Sequence, residues 1–203
     1  LTASQKELVY YLSEAALAGR DIIFDQNYKH NLRIRKTLDA IVRGYKGDRE
    51  DPRWNEFMIY VKRVWFSNGI HHHYSTDKIM PGFDADYFAA LVRDSEDQSF
   101  PLAEGQSVDD LLAFLRPILF DPSVDAKKIS QDSTKDLVLN SAVNFYEGVT
   151  QAEGEKYYKG IVDGKDTTPI SYGLNSRVVK KDGKVLEEVA SINGLYGPAI
   201  AKI

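Results

Sequence analysis

Between Asn68 and Lys78 the chain reads NGIHHHYSTDK, and these eleven residues hold three of its four histidines beside an amide, a phenol, a carboxylate and an ammonium group. Imidazoles titrate near neutrality, while amide and phenol groups both donate and accept hydrogen bonds. In extended backbone His71 and His73 share one side and His72 takes the other, so two of the three rings can meet one ligand. Zinc asks for three or four ligands, and the sequence has no cysteine and no HExxH helix to complete a set. Metal binding is the weakest use of this stretch; a solvated loop and a ligand-contacting loop both fit its composition. A hydrolase with His71 or His73 as general base and Asp77 as its orienter would further need a nucleophile or activated water, which proximity along the chain does not supply.

The element that must position the loop is the run before it. Trp54, Phe57, Met58, Val61, Val64 and Trp65 recur at three- and four-residue intervals, the period of a helix with one apolar side. Asp51 and Pro52 suit its N-cap and first residue, and Asn68-Gly69 suits an exit through positive φ. A core helix thus delivers a polar loop on a buried base, with Trp65 expected in the core at the loop's foot.

Composition sets the frame. A chain of 203 residues can bury a sizeable core as one or two domains. With 26 basic and 30 acidic residues the formal charge is -4, which gives no reason to expect a nucleic-acid partner. Lacking cysteine, the chain has neither disulfides nor thiolate chemistry, and it suits the cytoplasm or the periplasm equally. No apolar run approaches a membrane span and no secretory apolar region is present, though the absent initiator Met is consistent with trimming.

In chain order, Ser4 to Ala18 reads as a helix with Ser4 and Glu7 as a capping box, interrupted at Gly19-Arg20. A second helix runs from about Asn31 to Arg43 with Ile34, Leu38, Ile41 and Val42 inward. Lys29, His30, Arg33, Arg35 and Lys36 lie around its outer faces and read as a solvated surface. Asp84 caps a helix carrying Tyr87, Phe88, Leu91 and Val92, and Ser107 with Asp110 caps another that packs until Pro117 perturbs it. Short helices are expected at Leu137 to Tyr146 and Thr150 to Lys159. Near residue 161 the texture changes: Asp163-Gly164 marks a turn, and SYGLNSRVV and KVLEEVAS flank KKDGK as the arms of a β-hairpin. Leu195, Ile200 and Ile203 open a further helical pattern with no stop, the expectation of a helix that continues in a longer protein. The fold expected is α+β and predominantly helical, with a helical body over 1–160 and a hairpin or small sheet plus helix start over 161–203 packed on the same lobe.

LTASQKELVYYLSEAALAGRDI, YVKRVWFSNGIHHHYSTDKIMPGF and LNSRVVKKDGKVLEEVASINGLYGPAIAKI, in this order and spacing, resemble the N-terminal part of the dipeptidyl-peptidase III family, the M49 zinc peptidases, and most of all its bacterial branch. The resemblance implies a two-lobed enzyme: a helical zinc-binding lobe closes over a cleft from a second lobe built on a five-stranded β-core, and dipeptides are released from the free N-terminus of peptides. The family's HExxGH and EExRAD zinc helices do not occur here. On this resemblance the chain supplies the non-zinc lobe, with peptide substrate and the remaining zinc-binding lobe as its partners, zinc as the cofactor of the whole enzyme, and no catalytic or metal-ligating residue of its own. Asn68, Gly69, His71, His73, Tyr74 and Lys78 are the implied cleft-wall residues. The alternative is a non-catalytic helical interaction or scaffold module.

Overall fold

The computed structural model describes all residues except 97, 98, 163, 166–174 and 203. Among them are seven helices and three strands: α1 (Ala3–Asn27), α2 (Asn31–Gly44), α3 (Pro52–Ser67), α4 (Ala85–Arg93), α5 (Val108–Phe120), β1 (Tyr146–Glu147), α6 (Gln151–Ile161), β2 (Ser176–Lys181), β3 (Lys184–Val189) and α7 (Gly197–Ile200). The fold is α+β, predominantly helical, with a small mixed sheet towards the C-terminus. No helix among the described residues is long and apolar enough to cross a membrane.

The core forms where the apolar stripe of α3 meets α2, α4 and α5. Phe57, Val61 and Val64 are fully buried against Ile34, Leu38 and Ile41 of α2, Leu91 of α4 and Leu111 and Leu115 of α5. Each fully buried aliphatic or aromatic side chain contributes roughly 1.5–3 kcal/mol of transfer free energy, which is what makes α3 the rigid member. The expected caps are in place: Asp51 accepts from Arg53 N (2.8 Å) with Pro52 following, Asp84 accepts from Tyr87 N (2.7 Å), and Ser107 and Asp110 form a reciprocal box. Pro117 does not end α5. Ile118 and Leu119 continue the buried face, and their burial carries the helix to Phe120 despite the lost N–H.

Four further expectations are corrected. First, α1 runs unbroken through Gly19-Arg20, since about 1 kcal/mol of glycine penalty is offset by burial of Phe24 and the Arg35–Asp21 pair (2.9 Å) beyond it. Its cap is Thr2 with Gln5, two residues earlier than Ser4 with Glu7. Second, residues 137–146 are turns, not helix. Asp136 draws Val138 N and Leu139 N onto its Oδ1 (3.0 and 2.9 Å), Asn144 N donates to Gln26 O (2.9 Å), and Tyr146 enters the sheet. Third, the basic residues around α2 are not all solvated: Arg33 donates to Pro101 O (3.2 Å) and lies 4.6 Å from the Phe114 ring centroid, while His30 sits edge-on between Tyr28 and Phe114. Fourth, Trp65 is half-buried at the margin of the stripe, its indole N–H donating to Asp39 Oδ1 (2.9 Å).

The hairpin forms as read, Val179 facing Leu186 across β2 and β3, with positive φ at Asp182 and Gly183. Two strands alone are marginal, and here β1 adds a parallel third strand. Lys180 Nζ to Glu153 Oε1 (2.5 Å) ties the hairpin to α6, and the Tyr196 hydroxyl donates to the buried Asp25 of α1. The C-terminal pattern yields only the single turn α7, with Leu195 exposed; Ile203, the SYGL arm and Asp163 lie outside the described residues.

The first half of α1 stands apart from this body. Leu8, Val9, Tyr10, Tyr11 and Leu12 are all at least half exposed, and the side-chain hydrogen bonds and ring contacts of residues 1–14 stay within the helix. Deleting residues 1–14 is therefore expected to leave stability within about 0.5 kcal/mol, because no buried contact is lost. An urea midpoint that drops far outside that range would show that the arm is packed.

Candidate functional site

α3 ends in a left-handed turn that its sequence dictates. Asn68 adopts φ 51° and ψ 44°, tolerated by an asparagine, and Gly69 adopts φ +146°, open to glycine alone. Gly69 N closes onto Val64 O (2.9 Å). The turn is gripped from α2 by Asn31, which is fully buried: its Nδ2 donates to Phe24 O (3.0 Å) and its Oδ1 accepts from Ile70 N (3.1 Å). Asn27 Nδ2 donates to Asn68 O (3.0 Å). The loop's base is fixed by amide hydrogen bonds as well as by apolar burial.

Beyond Ile70 the loop folds back on itself as a narrow hairpin. Ile79 N donates to Ile70 O and His72 N to Asp77 O (both 2.7 Å), and His71 bridges Lys78. A third, distant segment lines up beside it, Lys78 N donating to Ala126 O (3.0 Å) and Lys128 N to Thr76 O (2.8 Å). Among the described residues, no segment pairs with the tip at His73, Tyr74 and Ser75.

This pleat does not place His71 and His73 on one side. His71 is 2 % exposed and its Nε2 lies 2.7 Å from Asp125 O. A carbonyl only accepts, so Nε2 carries the proton, and Nδ1 is a buried acceptor with no partner among the described residues. Burial lowers the His71 pKa; Lys78 and Lys128 act in the same direction, against the Asp125 carbonyl and charge. Tyr28 donates its hydroxyl to Asp125 Oδ2 (2.5 Å), and burial followed by that carboxylate raises its pKa. Lys78 Nζ donates to Asp121 O and Val124 O (2.6 Å each), which pins the same 121–125 turn. His71, Tyr28 and Lys78 together clamp that turn to the loop.

His72 and His73 remain outside. His72 Nδ1 accepts from Tyr74 N and Ser75 N (3.2 Å each), and its ring stacks on His73 at 4.6 Å between centroids. His73 in turn meets Tyr74 (4.4 Å) and, edge-on, Phe66 of α3 (4.9 Å). Tyr74 and Phe66 are 84 % and 73 % exposed, so a run of rings faces solvent.

Between these rings and the last turns of α3 lies an open groove of about 730 Å³, walled by Lys62, Arg63 and Phe66 on one side and by His72, His73 and Met80 on the other. Of the residues implied by the sequence, His73 and Lys78 line it; Tyr74 stands at the tip beside it, and Asn68, Gly69 and His71 build its base from within. Lys62, Arg63 and Phe66 were not singled out by sequence. The signal was available: Phe66 falls roughly 200° around the helix from Val64, off the apolar stripe, and an aromatic there has no core to enter. The groove offers ring faces, hydroxyls and cations, which bind and orient. Among the described residues no three His, Cys, Asp or Glu side chains come together to hold a metal ion. No model of a known protein family matches this chain, and no curated protein matches it.

Proposed function

We propose that this chain is the metal-free lobe of a zinc-dependent dipeptidyl-peptidase, and that the groove between α3 and the loop at its end contacts the peptide. The observation that carries the reading is an exposed ladder of rings, Phe66–His73–Tyr74, mounted on a loop whose base is locked by Asn31 and by core burial. Ring faces beside hydrogen-bonding groups, on a preformed support, are what recognition of a short peptide needs. The order of the three segments that resemble the M49 peptidases supports the same reading. Among the described residues no three His, Cys, Asp or Glu side chains gather where a zinc ion would need them. The zinc of such an enzyme, which activates water for attack on the peptide bond, belongs to the partner lobe, and this chain alone is expected to cleave no peptide.

The test is binding. Titrating the pentapeptide amide Gly-Phe-Asn-Gly-Gly, which has no carboxylate, into the labelled chain is expected to shift the amide resonances of Phe66 and His73 saturably, with Kd in the range of about 0.1–1 mM. Phe66→Ala should weaken that binding about three- to tenfold without altering the melting temperature, since a stacked ring contributes on the order of 1 kcal/mol. No shift at several millimolar peptide would overturn the reading. The exposed apolar side of α1 favours a second one, a non-catalytic helical interaction module; in that case peptide leaves the groove unchanged.

A further inference from the structure

The geometry points to a groove that selects peptides carrying an acidic side chain next to an aromatic one, Lys62 and Arg63 taking the carboxylate and Phe66 with His73 taking the ring. The inference rests on the reading of the groove as a peptide-contact surface and adds what that surface prefers. Lys62 and Phe66 are one helical turn apart on α3 and therefore neighbours on its surface, with Arg63 beside them on the groove wall. Both basic side chains are exposed, and neither makes an ion pair or side-chain hydrogen bond with any described residue.

The other charges of the groove are already committed. The Asp77 carboxylate is held by Lys127 Nζ at 2.5 Å, and the Lys78 ammonium is held by two carbonyls at the 121–125 turn. What remains uncompensated is a pair of cations, on a chain whose overall charge is -4. The two unpaired cations give this wall a local positive potential, which attracts an anionic group while the adjoining rings favour an apolar one. A guanidinium beside an ammonium suits a carboxylate, the first by paired N–H donors and the second as a point charge. Arranged within one helical turn of Phe66, they match an acidic residue adjacent in sequence to an aromatic one, a spacing of about 3.3 Å along extended peptide. Exposed pairs are individually weak, so the preference is modest and dependent on salt.

The test compares Gly-Phe-Asp-Gly-Gly with Gly-Phe-Asn-Gly-Gly, both amidated so that one side chain carries the only carboxylate, bound to the 203-residue chain and followed by NMR at low ionic strength. The acidic peptide is expected to bind about fivefold more tightly, and the difference is expected to vanish both in about 0.5 M salt and in the exposed-site double variant Lys62→Gln/Arg63→Gln, whose melting temperature should be unchanged. Equal affinity for the two peptides overturns the selectivity and leaves the groove as a peptide site. A preference that survives in the double variant overturns the assignment to Lys62 and Arg63. Failure of both peptides to bind overturns the groove itself, and the selectivity with it.

Discussion

Gly69→Ala is expected to destabilise the helical body by about 3 kcal/mol or more, because two separate costs fall on one methyl group. At φ +146° an alanine is strained whatever space surrounds it, and its Cβ would stand 2.0 Å from Asn31 Nδ2. Asn31 is fully buried and cannot swing aside without giving up its bond to Phe24 O and leaving Ile70 N without its partner. A buried amide group left without its partner costs about 1–3 kcal/mol. Truncating the neighbour should relieve part of the clash, so Asn31→Ala and Gly69→Ala are expected to be less costly together than the sum of each alone. Urea unfolding of the two single variants and the double variant measures this directly. An unchanged midpoint for Gly69→Ala, or strict additivity, would show that the turn is not locked as described.

His71→Ala should cost about 2–4 kcal/mol near neutral pH, from lost buried volume and from an orphaned Asp125 carbonyl. The same residue gives stability a pH dependence of definite sign. The folded-state pKa of His71 is lowered, mainly by burial, and that of His30 is lowered by burial and then by Lys29 and Arg33. For such a group the unfolded chain binds the proton more readily, so stability rises with pH across the window between the folded pKa and the unfolded value of about 6.5. It is fully present above about pH 6.5 and is lost as pH falls towards the folded pKa. Physically, protonation places an N–H on the buried Nδ1, which has no acceptor among the described residues and is opposed by the Lys78 and Lys128 charges. The carboxylates lowered by their partners, Asp77 by Lys127 and Asp121 by Ser123, act with the same sign only at more acidic pH. Urea midpoints between about pH 5 and 7.5 should therefore fall on acidification in the parent chain, and fall less in His71→Gln, whose amide donates without titrating; His30 retains its share. Identical slopes for the two proteins would remove His71 from the account.

Local chemistry made much of this fold legible. Asp51-Pro52, Asp84 and Ser107 with Asp110 announce helix starts because a side-chain acceptor meets orphan N–H groups within three residues, a matter of sequence spacing alone. Asp182-Gly183 fixes a hairpin for the same reason, since positive φ is a property of the residues themselves. Asn68-Gly69 likewise marked the end of α3, so the place of the loop was readable before its shape.

Misreadings arose where the deciding partner is far along the chain. Residues 137–146 have enough apolar spacing for a helix, but Tyr146 pairs with Val178 and Asn144 N with Gln26 O, and these distant partners outbid a short isolated helix. α1 crosses Gly19 because Phe24 and Arg35 anchor its far end.

For the site itself, the sequence determined which groups are present and that an apolar helix delivers them. Only the tertiary structure decided which way they face. His71 turns inward because Asp125, 54 residues away, offers a carbonyl that makes its burial affordable, and Lys78 follows because the same turn supplies two more. His73 and Tyr74 stay outside because no described segment pairs with the tip, and Lys62, Arg63 and Phe66 join them because the helix turns its unburied side that way. A sequence states what each side chain can bond to; which partner arrives is settled by the packing of segments that are remote in the chain.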